Sequence, residues 1–313
     1  MKNKVLVILG PTASGKSTLA VRLARKFRGE IISADSRQVY RGLDIGTGKV
    51  TKKEMRGIPH YLLDVADPKK QFTVLDFLNL TNQAIAEIVK NNKIPMIVGG
   101  TGFYIDALTE AVSFPNVPPN KKLREKLNKK SAIELFEMLK KKDPRRAKSI
   151  DPKNKVRLIR ALEIVVALGK VPPPQPDRST RYKFIYIGLK PDDLGERIYK
   201  RLVKRLEPMI REAKKLIRLK AINYKRMHEL GLEYRYLAMY LQNKLSKEDM
   251  FNKLNKEIRH YAKRQMTWFS AKGGSASPEG GKRRERNKKI KWFKPEEYRK
   301  IEKYVRIALN KGL

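Results

Sequence analysis

The sequence predicts an α/β fold: a parallel-sheet core, an inserted all-helical domain and a helical C-terminal part. Three observations carry that prediction. Short apolar runs alternate with helical spacing over the first 110 residues, a glycine-rich turn joins the first run to the first helix, and two proline-rich breaks bracket a purely helical stretch. At 313 residues the chain is long enough for two domains or one domain with an insertion.

Taken in order, Lys4–Leu9 (KVLVIL) is a continuous apolar run ending at Gly10, as expected of a strand buried on both faces. A helical pattern follows over Lys16–Phe27. Glu30–Ala34 and Ile94–Val98 read as two further strands. Between them, Val74–Val89 places Phe77, Leu80, Ala84 and Ile88 on one helical face. The pattern breaks at Phe114–Pro119 (FPNVPP), is helical only from Asn120 to Lys170, and breaks again at Val171–Pro176 (VPPPQP). Lys183–Leu189 (KFIYIGL) then reads as one more strand. The expected layout is a core over 1–113 and 183–313 with a helical insertion over 114–182. Helices are expected at 194–219, 223–241, 246–270 and 295–310. Segment 271–291 is rich in Gly and Ser and then strongly basic, so a mobile basic loop is expected there.

The chain carries 72 Lys and Arg against 32 Asp and Glu, a formal net charge of +40. Residues 1–110 hold 17 basic and 10 acidic residues, whereas the remaining 203 hold 55 and 22. A uniform compositional bias would not load one part so heavily. The asymmetry predicts a basic working surface beyond residue 110, and nucleic acid is the polyanion that suits it. The absence of cysteine excludes disulfides, Cys-based zinc sites and thiol nucleophiles. His60, His228 and His260 are too scattered for a histidine metal cluster. No apolar run is long enough to span a bilayer and the N-terminus lacks a signal-peptide layout, so a soluble cytoplasmic protein is expected.

Gly10-Pro11-Thr12-Ala13-Ser14-Gly15-Lys16-Ser17 fits G-x-x-x-x-G-K-[ST] between an expected strand and an expected helix, which makes the core P-loop NTPase-like. Such a turn points backbone N–H groups and a helix N-terminus at phosphate oxygens. Lys16 adds charge, and Ser17 offers a hydroxyl to Mg²⁺. A P-loop specifies phosphate, not the reaction. Asp35 falls at the carboxyl end of the second strand, where ligands of open α/β sheets gather. It could serve Mg²⁺ through water, act as a general base, or cap a turn. The third strand ends in a second glycine-rich turn, Gly99-Gly100-Thr101-Gly102, at the same sheet edge.

Together GPTASGKS (10–17), SADSRQVY (33–40), DIGTGK (44–49) and GGTGFY (99–104) resemble the tRNA dimethylallyltransferase family. The likeness continues through NKVRLIRALE (154–163), ERIYKRLVKRL (196–206) and YAKRQMTWF (261–269), in order over nearly the whole chain. The resemblance implies transfer of a dimethylallyl group from dimethylallyl diphosphate to N6 of the adenosine 3′-adjacent to the anticodon. By position, Asp35 matches the catalytic aspartate that accepts the N6 proton. Lys16, Ser17 and Arg201 match residues that hold the diphosphate with Mg²⁺, and Thr101 lines the same pocket. On that reading Asp35, Ser36, Gln38, Arg157, Arg160, Arg259, Lys263, Arg264 and Gln265 meet tRNA, and the insertion grips the anticodon arm of a target bound by a monomer. Tyr261 and Trp268 read as packing residues. Ser17 stands where many relatives have Thr, Ala221–Gln242 is only loosely like the family, and Lys272–Lys289 is an added basic stretch. The rivals are an isopentenyltransferase of free adenine nucleotides and a P-loop kinase or RNA-binding ATPase. A small nucleotide explains neither the long insertion nor the charge asymmetry.

Overall fold

The computed structural model describes residues 3–110, 114–173, 182–270 and 285–310. The sheet is built from β1 (Asn3–Leu9), β2 (Gly29–Ala34), β3 (His60–Tyr61), β4 (Ile94–Gly99), β5 (Tyr182–Leu189) and β6 (Lys291–Phe293). Its order is β3-β2-β4-β1-β5-β6 and every pairing is parallel. The apolar runs explain why. Alternate residues of one strand face opposite sides, and both sides are covered. Val5, Val7 and Leu9 join Ile97 and Tyr186 in a core with α3 (Val74–Lys90) and α4 (Gly102–Thr109). Leu6 and Ile8 join Met96, Val98 and Ile187 in a second core with α1 (Lys16–Phe27) and the last helix, α13 (Tyr298–Asn310).

Register fixes the site. Leu9 and Ala34 both pair with Gly99, so β1, β4 and β2, adjacent in the sheet, end at one level. Gly10, Asp35 and Gly100 are the residues that follow. Gly99 has no alternative there, because a side chain would overlap the Ala34 backbone.

Beyond β5, helices α9 (Leu194–Arg218), α10 (Tyr224–Leu230), α11 (Leu232–Leu241) and α12 (Lys247–Phe269) bury a third core around Leu202, Met209, Leu237 and Leu254, closed by Val39, Tyr40 and Leu43. The expected helix over 223–241 is interrupted at Gly231, whose φ of 76° only glycine adopts without strain. The remaining helices are α2 (Lys52–Met55), α5 (Lys121–Asn128), α6 (Ala132–Lys142), α7 (Pro144–Ala147) and α8 (Lys155–Leu168).

Among the described residues, those of Met1–Thr109, Thr180–Lys272 and Arg286–Leu313 make one compact unit, and those of Glu110–Ser179 and Gly273–Glu285 a second. The second unit has its own core of Leu127, Leu135, Leu139, Leu158 and Leu162. Residues 271–284 of the expected mobile loop lie outside the described residues. For 285–291 the expectation is corrected: these residues form a helical turn at 285–288 and lead into β6. Composition alone reads a basic run as solvated. Here Arg286 and Asn287 are buried, Arg286 paired with Asp106 of α4 and the Asn287 amide donating to Trp268 O (2.9 Å) and Ser270 O (2.8 Å). Among the described residues no helix is long and apolar enough to cross a membrane.

Candidate active site at the strand ends

The P-loop curls through left-handed backbone at Gly10 (φ 145°), Ala13 (φ 62°) and Gly15 (φ 88°) before α1 begins at Lys16. Ala13 pays a steric penalty that glycine would avoid, the kind of strain a packed surrounding holds in place. The Lys16 ammonium folds back on the loop, donating to Pro11 O at 2.5 Å and Ser14 Oγ at 3.4 Å. Burial, and after it the Arg201 guanidinium, pulls its pKa down to about 7, with the Asp35 carboxylate opposing both. Lys16, Arg201 and Asp35 therefore share one electrostatic neighbourhood, although Asp35 lies 19 residues beyond Lys16 and Arg201 lies 166 beyond Asp35. The Ser17 hydroxyl lies on the exposed first turn of α1.

Asp35 serves both as a cap and as an available acceptor. Its Oδ1 accepts from Arg37 N (2.8 Å) and Gln38 N (3.3 Å), closing the turn after β2. Among the described residues Oδ2 has no hydrogen bond. Thr101 Oγ1 accepts from Ser36 N at 3.1 Å, so the β4 turn braces the β2 turn. The Tyr261 hydroxyl is held well above its usual range by burial and then by the charge of Asp35, so the ring lies within the field of that carboxylate.

Gln265 corrects the sequence reading. It is buried, with Oε1 accepting from Thr12 N (2.8 Å) and Nε2 donating to Gly100 O (2.9 Å). Its amide ties the P-loop to the β4 turn and is not presented to a tRNA. Gly100 has no side chain because the Gln265 amide fills that space. One turn further along α12, Trp268 covers Gly102 and donates Nε1–H to Asp106 Oδ2 at 3.1 Å, a packing role as expected.

Arg201 Nη2 donates to Gly48 O at 3.1 Å, and Gln38 Nε2 donates to the same oxygen at 3.4 Å. Arg205 donates to Ile45 O and Gly46 O and lies 4.0 Å from Glu233. Glu233 escaped sequence reasoning. Burial raises its pKa, with Arg205 and Arg201 pulling it down and Asp35 pushing it up, so it belongs to this charge cluster. Nothing local marks it; only the packing of α11 against α9 brings it there.

The predicted tRNA cations divide. Lys263 and Arg264 are exposed on α12. Arg259 is exposed but donates to Gly195 O at 3.0 Å. Arg157 is exposed on α8 in the second unit. Arg160 is committed within that unit, to Glu163 Oε2 (3.2 Å) and Val117 O (2.9 Å). It helps Arg124 neutralise the buried Glu163, whose carboxyl stays below its usual range because these hydrogen bonds outweigh burial. No cluster of three or more His, Cys, Asp or Glu suited to a metal occurs among the described residues.

The sequence profile of the IPP transferase family matches residues 38–272. The chain is 39% identical over 332 residues to the tRNA dimethylallyltransferase of Thermoanaerobacter sp. (strain X514), covering 99% of this chain and 100% of that one. It is 44% identical over 273 residues to tRNA dimethylallyltransferase 1 of Geotalea uraniireducens, covering 86% and 89%. Among solved structures, the full-length tRNA isopentenylpyrophosphate transferase of Bacillus halodurans aligns with a TM-score of 0.69 at 34% identity, over 98% of this chain and 97% of that one. A eukaryotic dimethylallyltransferase acting on tRNA aligns with a TM-score of 0.79 at 27% identity, over 98% and 78%.

Proposed function

The chain belongs to the IPP transferase family, and on that premise we propose that it is a tRNA dimethylallyltransferase, moving the dimethylallyl group of dimethylallyl diphosphate to N6 of the adenosine 3′-adjacent to the anticodon. The observation that carries the reading is Asp35, whose Oδ2 has no hydrogen bond among the described residues, at strand ends shared with a P-loop lysine that senses both Asp35 and Arg201.

The chemistry follows from the residue types. The P-loop amides, Lys16 and Arg201 hold the diphosphate and neutralise the charge that grows on its ester oxygen as the C1–O bond breaks. The N6 amine forms the new bond to C1, its proton passes to Asp35 Oδ2, and the diphosphate leaves with the electron pair. Thr101 and the Asp35 Oδ1 turn keep that carboxylate aimed. Mg²⁺ suits this donor set: a single protein hydroxyl, Ser17, would hold it, the remaining ligands being diphosphate oxygens and water, as is usual for that ion. When bound it supplies further neutralisation of the diphosphate. Ser36 and Gln38, beside Asp35, are suited to contact the target nucleotide, and the exposed Arg157, Lys263 and Arg264 the tRNA phosphates. The helical second unit is suited to hold the anticodon arm.

Radiolabelled dimethylallyl diphosphate incubated with Mg²⁺ and either tRNA or AMP, without ATP, tests the reading. Label entering tRNA alone is expected; label in AMP, or in neither, would overturn it. Asp35→Ala is expected to lower turnover by at least about a hundredfold while leaving tRNA affinity unchanged.

A further inference from the structure

We infer that Glu212, far from the reacting atoms along α9, is a positioning residue that sets the Arg201 guanidinium through the backbone of loop 44–49. The inference rests on the transferase reading above. Arg201, Arg205 and Glu212 are separated by four and seven residues and fall on one face of α9, with Glu212 about 16 Å along the helix axis from Arg201. All three address the same loop. The Glu212 carboxylate accepts from three consecutive amides, Asp44 N (2.9 Å), Ile45 N (2.6 Å) and Gly46 N (2.9 Å). Tyr234 fixes that carboxylate from α11 by donating its hydroxyl to Oε1 at 2.7 Å. Arg205 then takes the carbonyls of Ile45 and Gly46, so amides and carbonyls of the same turn are held by opposite charges from one helix.

The consequence reaches Arg201 through Gly48. Among the described residues Arg201 has no carboxylate within ion-pair distance, and its guanidinium is tethered at Gly48 O. Where the loop sits therefore decides where the guanidinium points. The loop's glycines are shaped for this clamp. A side chain at Gly46 would overlap the Tyr234 ring, and one at Gly48, which has a φ of 63°, would overlap the Arg201 guanidinium. An anion-binding nest of three amides left without its carboxylate would lose the feature that fixes its conformation.

A double-mutant cycle in the full-length chain tests this. Glu212→Ala and Arg201→Ala are made singly and together, with kcat and KM for dimethylallyl diphosphate measured at saturating tRNA, and tRNA affinity measured separately. Glu212→Ala is expected to raise the KM for dimethylallyl diphosphate about tenfold and to leave tRNA affinity within about twofold. In the Arg201→Ala background the same change should alter that KM by less than about twofold, because the residue it acts through is gone. Losses that multiply in the double mutant, or a fall in tRNA affinity with an unchanged diphosphate KM, would overturn the inference. Glu212→Gln keeps the side-chain shape and gives the same readout if the alanine variant does not fold. Absence of any transfer by the unsubstituted protein would instead sink the transferase reading.

Discussion

Lys16 combines a position at the phosphate turn with a pKa near physiological pH, about 7. The sign of its effect follows from the causes. Burial and Arg201 favour the neutral amine, so the free protein loses the Lys16 charge as pH rises through 7. A bound diphosphate supplies negative charge and restores the ammonium. Diphosphate binding above pH 7 should therefore take up close to one proton, and affinity should fall as pH rises from 7 to 9. Titration calorimetry in buffers of different ionisation enthalpy measures this; proton uptake of zero at pH 8 would show that Lys16 is charged before the ligand arrives. At this scale the sequence was informative where chemistry is local and silent where it is not. The P-loop, Asp35 and Thr101 stand in short motifs whose backbone context was legible. Gln265 was misassigned because its partners, Thr12 and Gly100, lie 253 and 165 residues away. Arg160 shows a related effect: a cation on a helix looks solvated until the buried Glu163 is seen beside it.

Among elements, β1, β2, β4 and β5 announced themselves as apolar runs, because a strand covered on both faces must be apolar throughout. β3 and β6 are two and three residues long and leave no such run. The approach to β6 was hidden further by charge, and here the ion pair matters. Arg286 and Asp106 are both buried, and the pair joins the segment before β6 to α4, whose first turn packs under Trp268. Removing one partner takes from the other its opposite charge in the interior. Arg286→Ala should cost about 3–5 kcal/mol, read as a lower urea midpoint at unchanged slope. Replacing both, Arg286→Met with Asp106→Asn, should recover a good part of that loss. Equal destabilisation by the single and double changes would mean that the pair contributes through packing and not through charge.

Over the whole molecule, the net charge of +40 is distributed as +8 over 1–109, +10 over 110–179 and +22 over 180–313. The sequence argument for a polyanion partner rested on that asymmetry, whereas the layout of sheet, helical insertion and helical C-terminal part was read from apolar runs and proline-rich breaks. It did not separate cations facing a ligand from cations holding the fold. Arg205, Arg226 and Arg286 are internal, each bound to backbone carbonyls or carboxylates. Lys263 and Arg264, by contrast, are exposed on the helix whose buried Gln265 anchors the P-loop, so α12 carries cations outward and braces the site inward. Counterion release turns this division into a measurement. If tRNA affinity is set by phosphate contacts, log K should fall linearly with log salt, and each phosphate-contacting cation removed should lower the slope by about 1. Neutralising Lys263 and Arg264 to Gln together should therefore reduce the slope by about 2, at unchanged KM for dimethylallyl diphosphate. Arg226→Gln, an internal cation, should leave the slope unaltered even where it lowers stability. A slope that ignores Lys263 and Arg264 would place the tRNA on another face and shift the search to the cations of 110–179.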